Sequence, residues 1–133
     1  GGAVVDLEEF YRRYNAVCNE HRFDDLGEFV ADRVEVNGEI QGLGGYADGL
    51  AAVVRAFPDY RWDLRHLLVD GDRIAAHFVD TGTHRGEFLG VPATGRAVTT
   101  QEFAIYRVAE GRIAEVWVTA DNLRILDQLR ADR

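Results

Sequence analysis

Two carboxylates stand where a strand pattern would set them among apolar side chains. Between Ala97 and Val108 alternate residues read Val98, Thr100, Glu102, Ala104 and Tyr106, so Glu102 is a lone carboxylate on an otherwise apolar face. Burial there would disfavour its charged form and raise its pKa toward neutrality. That suits a general acid, or a base for a weakly acidic carbon. The competing reading puts Glu102 near a rim, paired with an arginine such as Arg96. One strand earlier Ala76, Phe78 and Asp80 share a face. Asp80 could project into the same cavity and divide acid and base duties with Glu102, or it could be a solvated strand end before Gly82.

Other chemistry has less support. His21, His66, His77 and His84 show no close ligand spacing, so no metal site is predicted. His66 alternates with Trp62 and Leu64 and could reach a pocket, or be half-buried and bonded to backbone; His84 is read as structural within its turn. There is no serine, and Cys18 lies on the apolar stripe of a helix, which argues against a nucleophilic enzyme. Gly42-Leu43-Gly44-Gly45 lacks the strand-to-helix context of a dinucleotide fingerprint and reads as a flexible pocket rim. Tyr14 is a plausible polar anchor for a substrate oxygen.

The elements that must position these residues follow from periodicity. Leu7, Phe10, Tyr11, Tyr14, Val17 and Cys18 recur at helical spacing behind a cap-like Asp6 and Glu9. A short helix is expected over 23–30 and a strand over 33–37. Tyr46 to Phe57 forms a further helical stripe ended by Pro58. The period then changes to two: strands around Trp62–Leu68, Ile74–Thr83, Ala97–Val108 and Ile113–Thr119 are joined partly by Asp70-Gly71-Asp72 and Glu110-Gly111 turns, before a closing helix over 121–129. Helices first and antiparallel strands after them give an α+β fold.

The 133 residues suffice for one domain spanning 1–133. A formal net charge of −8 with scattered basic residues argues against nucleic acid and against an anionic membrane surface, and no segment is apolar enough to span a bilayer. A single cysteine excludes an intrachain disulfide, and the Gly1-to-Asp6 opening lacks the basic and apolar regions of a secretory leader. The expected location is the cytoplasm.

One resemblance covers nearly the whole chain from Phe10. Phe57-Pro58-Asp59, the Asp70-Gly71-Asp72 hairpin, Gly82-Thr83-His84 with Gly86-Glu87-Phe88, Pro92-Ala93-Thr94-Gly95-Arg96, Tyr106-Arg107, Gly111-Arg112-Ile113 with Glu115 and Trp117, and Asp121-Asn122 ending in Gln128-Leu129 resemble, in order, the SnoaL-like polyketide cyclases. The resemblance implies the cone-shaped fold of the nuclear transport factor 2 superfamily, a curved sheet wrapped around N-terminal helices. It also implies a homodimer through the outer sheet face, a deep apolar pocket, and a cofactor-independent enzyme acting on hydrophobic polyketide-type intermediates.

The chain departs from the family at the last strand. Aldol-closing members resemble Glu-His-Trp-Asp where this chain reads Glu115-Val116-Trp117-Val118, and a valine neither accepts a proton nor donates a hydrogen bond. If Val116 and Val118 face the pocket, the matching face of the preceding strand carries Glu102, which becomes the leading acid/base candidate. Asp80 supports it. Asp121 matches the family's Asp-Asn, though a helix N-cap is the simpler account. Asn37 falls where the family has a pocket asparagine, and Phe78, Ala104, Val116, Trp117 and Val118, with His66, are expected to line the pocket. The expected chemistry is cyclisation or isomerisation. The alternatives are an epoxide-opening or ether-ring-forming reaction between Glu102 and Asp80, and a non-catalytic partner of a pathway hydroxylase.

Overall fold

A computed structural model describes residues 6–131. The chain begins with helix α1 (Leu7–Asn19), whose N-cap Asp6 accepts a hydrogen bond from the Glu9 amide at 3.1 Å. Phe10, Tyr11, Tyr14, Val17 and Cys18 form its buried stripe. A single 3-10 segment, Phe23–Glu28, leads to β1 (Val30–Val36) and the two-residue β2 (Glu39–Ile40). Helix α2 runs from Gly42 to Ala56, so the glycine cluster expected to be a flexible rim is instead its first turn.

Four long strands follow: β3 (Arg61–Asp70), β4 (Arg73–Thr83), β5 (Ala97–Ala109) and β6 (Arg112–Ala120). Helix α3 (Asn122–Arg130) closes the chain. The six strands form one sheet in the order β2-β1-β6-β5-β4-β3, antiparallel throughout except that β1 runs parallel to β6. The sheet is open and curved, and α1 and α2 cover its concave side. Strict alternation on β4 buries Ile74, Ala76, Phe78, Asp80 and Gly82 on that side, and β5 does the same with Val98, Thr100, Ala104, Tyr106 and Val108. The apolar core therefore lies between sheet and helices, as the α+β pattern requires.

One irregularity decides a face. A bulge between Leu64 and His66 shifts the β3–β4 register, so Trp62 and Leu64 point inward but Leu67, not His66, continues the inner row. No helix among the described residues is long and apolar enough to cross a membrane.

Candidate active site

Glu102 occupies the inner face of β5, half-buried, opposite Phe78 of β4 and Ala120 of β6. Its carboxyl lines a cavity of about 160 Å³ enclosed by α1, α2 and the sheet. The walls come from Trp62, Phe78, Val118, Leu50 and Val36, and the polar groups are the hydroxyls of Tyr11, Tyr14, Tyr46 and Tyr106 with the amides of Asn15 and Gln41. Glu102 is the one carboxyl among the described lining residues, and no arginine or histidine accompanies it. Arg96, the alternative partner, instead donates to the Gln128 carbonyl at 3.1 Å and to that of Ala131.

Asp80 is completely buried and is not among the residues that line the cavity. The Tyr60 hydroxyl donates to its Oδ2 at 2.8 Å. Its Oδ1 has no partner that meets hydrogen-bond geometry, yet the Glu102 carboxyl is near enough for the two groups to alter each other's proton affinity. Burial is the largest cause that pushes Glu102 up, to about 10, followed by the hydrogen bond and negative charge of Asp80, with the Trp62 indole opposing. Burial raises Asp80 as well, and that effect wins, although the hydrogen bonds of Glu102 and Tyr60 and the charge of His77 partly offset it. Of the pair, Glu102 is the group that holds a proton more tightly.

The phenols are paired. Tyr11 donates to the Tyr106 oxygen at 2.8 Å, and the Tyr14 and Tyr46 hydroxyls bond to each other. Burial, the leading cause in each case, raises all four phenols above their ordinary range, so they remain O–H donors. Tyr106 keeps its own hydroxyl hydrogen for a further acceptor, because Tyr11 supplies the bond between them. Cys18 also touches the cavity, but burial pushes its thiol up to about 12, which suppresses the thiolate.

The structure separates the other sequence candidates. Tyr14, Phe78 and Val118 line the cavity; Ala104 and Val116 are buried on the same sheet face beneath it. His66 is carried by the bulge to the outer face, where its Nδ1 lies 2.9 Å from His77 Nδ1. Trp117 also faces outward, since its neighbours Val116 and Val118 take the inner face. Asn37 is exposed in a left-handed turn conformation (φ 52°), and its Oδ1 accepts the Val118 amide at 2.9 Å. It is a turn residue stitching β1 to β6, outside the cavity. His84 is fully buried in the β4–β5 connection, its Nδ1 accepting the Thr94 amide at 3.1 Å.

Asp121 caps α3, accepting the Arg124 amide at 3.1 Å, and does not reach the cavity. Asp121→Ala is expected to cost about 1 kcal/mol in urea denaturation, the usual worth of an N-cap, with no change in ligand binding. The sequence reading missed Tyr60 and the hydroxyl pairing of Tyr11, Tyr46 and Tyr106. Helical spacing marks Tyr11 as core, but no local signal says that four phenol oxygens meet across α1, α2 and β5.

A curved sheet wrapped around helices, with an apolar cavity between them that one carboxyl lines, is the nuclear transport factor 2-like architecture. The chain belongs to the SnoaL-like polyketide cyclase family, whose profile matches residues 8–129. Among solved structures, a SnoaL-like polyketide cyclase of Agrobacterium tumefaciens is 35% identical with a TM-score of 0.85, covering 95% of this chain and 99% of that one. IdmH from Streptomyces antibioticus is 26% identical with a TM-score of 0.86, covering 96% and 100%. The aklanonic acid methyl ester cyclase DnrD of Streptomyces peucetius is 25% identical over 115 residues, 80% of this chain and 79% of that one.

Proposed function

We propose that this protein is a cofactor-independent enzyme of polyketide biosynthesis that closes or isomerises a ring by moving protons at Glu102. The observation that carries this reading is the single neutral carboxyl in a cavity otherwise lined by apolar side chains and neutral hydroxyls. A carbon beside a carbonyl gives its proton to the cavity-facing Glu102 oxygen as the proton Glu102 already holds shifts toward the neighbouring Asp80 carboxylate. The negative charge that appears on the carbonyl oxygen meets a phenol donor such as Tyr106, in surroundings where water does not compete. The enolate carbon attacks a second carbonyl held against it, and the resulting alkoxide takes the proton back from Glu102. Positioning two ends of one flexible substrate is itself worth several kcal/mol.

This scheme replaces the His and Asp of aldol-closing relatives, whose positions here are Val116, buried beneath the cavity, and Val118, which lines it. The cavity holds about one ring, so a larger polyketide must enter by its reacting end and leave the rest toward the mouth. Because Asp80 is sealed from solvent and does not line the cavity, the two do not flank a substrate from opposite sides, which favours enolate chemistry over an epoxide opening that needs an acid facing a base. The test uses aklanonic acid methyl ester, on which the named relative acts, as probe: ring closure by the native chain and at least tenfold slower turnover by Glu102→Gln support the reading. Equal turnover by the variant sinks it.

The chain is further proposed to work in the cytoplasm as a homodimer through the outer sheet face, where Phe103, Ile105 and Trp117 are 53%, 47% and 47% exposed. Light scattering should then give twice the chain mass, and Phe103→Glu should return the monomer. A monomeric native protein at micromolar concentration would reject the dimer.

A further inference from the structure

Glu102 must be neutral at rest and yet accept a proton, and two neighbouring groups, Asp80 and Tyr60, supply the means. We infer that Tyr60 and Asp80 are the positioning residues of Glu102: the Tyr60 hydroxyl makes Asp80 the anion of the pair, and Asp80 holds the Glu102 proton. This rests on the functional reading of Glu102 above.

The geometry begins at Tyr60. Its amide donates to the Phe57 carbonyl at 2.9 Å, its carbonyl meets His21 Nε2 at 2.9 Å, and its ring packs edge-on against Trp62 at 4.8 Å. The ring lies over Gly82 of β4, where an added Cβ would stand 2.9 Å from Phe57 Cβ and 3.3 Å from Tyr60 Cδ1. The ring is therefore held between Trp62, Phe57 and Gly82, and its one hydroxyl is spent on Asp80 Oδ2. Asp80 is sealed from solvent between Trp62 and Thr100 in the ladder, and Thr100 gives its hydroxyl to the Asp121 carbonyl instead. Asp80 Oδ1 is thus a buried acceptor with no hydrogen-bond partner of its own, an arrangement that is costly unless the neighbouring Glu102 carboxyl turns to donate to it.

The proton inventory then closes. At rest Glu102 carries the proton and Asp80 the charge. When a substrate C–H bond breaks, its proton bonds to the cavity-facing Glu102 oxygen while the proton Glu102 already held passes to Asp80 Oδ1. The negative charge leaves Asp80 and appears on the enolate oxygen. When the ring closes, the alkoxide takes a proton from Glu102, and Asp80 returns its own. Asp80 serves as the base without touching the substrate.

The other titratable groups around the pair are Tyr11 and Cys18 of α1, Tyr46 of α2, Tyr106 of β5, and His77 of β4, whose charge favours ionised Asp80. The first four are held neutral by burial. Beside Glu102 on β6 stands Ala120, which carries no charge.

The test is carbon-13 NMR titration of side-chain carboxyls in the uniformly labelled full chain, with Tyr60→Phe and Asp80→Asn as variants. In the native protein the Glu102 resonance should stay at the protonated position through neutrality and the Asp80 resonance at the ionised one. Removing the Tyr60 donor destabilises charged Asp80, so its midpoint should rise by about one unit, as expected for a bond to a charged group. In Asp80→Asn the Glu102 midpoint should fall by at least one unit. The acid limb of turnover on the aklanonic acid methyl ester probe should move up with the Tyr60→Phe midpoint while KM changes less than twofold, a displacement that a merely structural tyrosine would not cause. An Asp80 midpoint unmoved in Tyr60→Phe, or an ionised Glu102 in the native protein at neutral pH, overturns the inference. Native turnover in Glu102→Gln alongside the expected titrations would instead remove the functional reading, and with it the catalytic meaning of the pair.

Discussion

Glu102→Gln is expected to abolish most turnover and, at the same time, to stabilise the protein above neutral pH. General acid–base groups typically contribute about 100- to 10,000-fold to rate, and no other carboxyl among the described lining residues can take over. The stability gain follows from the sign of the shift. The Glu102 carboxyl titrates near 10 when folded, whereas a carboxyl of this type in an unfolded chain titrates near 4.3. The folded protein therefore holds a proton that the unfolded chain gives up across that interval. The stabilisation from the neutral carboxyl is complete below the unfolded value and is lost as pH rises through the folded one.

The steepest slope a single group allows is about 1.4 kcal/mol per pH unit. Glu102 is only half-buried, and solvent screening reduces that to a total of about 1–2 kcal/mol near pH 8. Glutamine matches the neutral carboxyl in shape and charge without the proton cost. Its melting temperature near pH 8 should exceed the native one by about 5 °C, the two converging near pH 4.5. A variant no more stable at pH 8 than at pH 4.5, relative to native, would refute a neutral Glu102.

The largest stability loss is expected at Gly86. A Cβ there would lie 2.5 Å from the Arg55 carbonyl oxygen, 3.2 Å from its carbon and 3.3 Å from Ala56 Cα, all backbone atoms. Relief requires the loop after β4 to move away from the end of α2. That breaks the bonds by which the Arg85 and Gly86 amides share the Ala56 carbonyl at 2.9 and 3.0 Å. Gly86→Ala should cost about 3 kcal/mol, at the upper end of overpacking effects, and should loosen the Phe57–Tyr60 segment that holds Asp80. Gly44→Ala is the contrast: its added Cβ meets nothing within 4 Å on helix α2, and the helix should gain about 0.5–1 kcal/mol. Urea denaturation of both variants checks the pair, and equal midpoints would contradict the close approach.

Much of the fold was legible because its causes are local. The helical stripe of α1, the switch to period two at Arg61, and the Asp70-Gly71-Asp72 and Glu110-Gly111 turns each depend on residues a few positions apart. The inner placement of Glu102 came from the same alternation, since strand parity propagates along β5 without reference to the rest of the molecule. Parity failed on β3 because a bulge adds one residue to one strand, and that residue reverses the face of His66. The start of α2 departs from the sequence expectation because three glycines that disfavour helix are overridden by packing on the 3-10 segment, where Leu43 approaches Gly27.

The sequence by itself determined the α+β order, the family, valines at positions 116 and 118 of the last strand, and a carboxyl at position 102 on an apolar face. Only the tertiary structure decided what that carboxylate can do. The proton affinity of Glu102 is set by exclusion from water and by the charge of Asp80, and Asp80 is held by a phenol 20 residues earlier in the chain. Desolvation and Coulomb energy depend on distances in space, which Tyr60, Asp80 and Glu102 acquire only when the turn before β3 folds over Gly82 and the β4–β5 ladder closes.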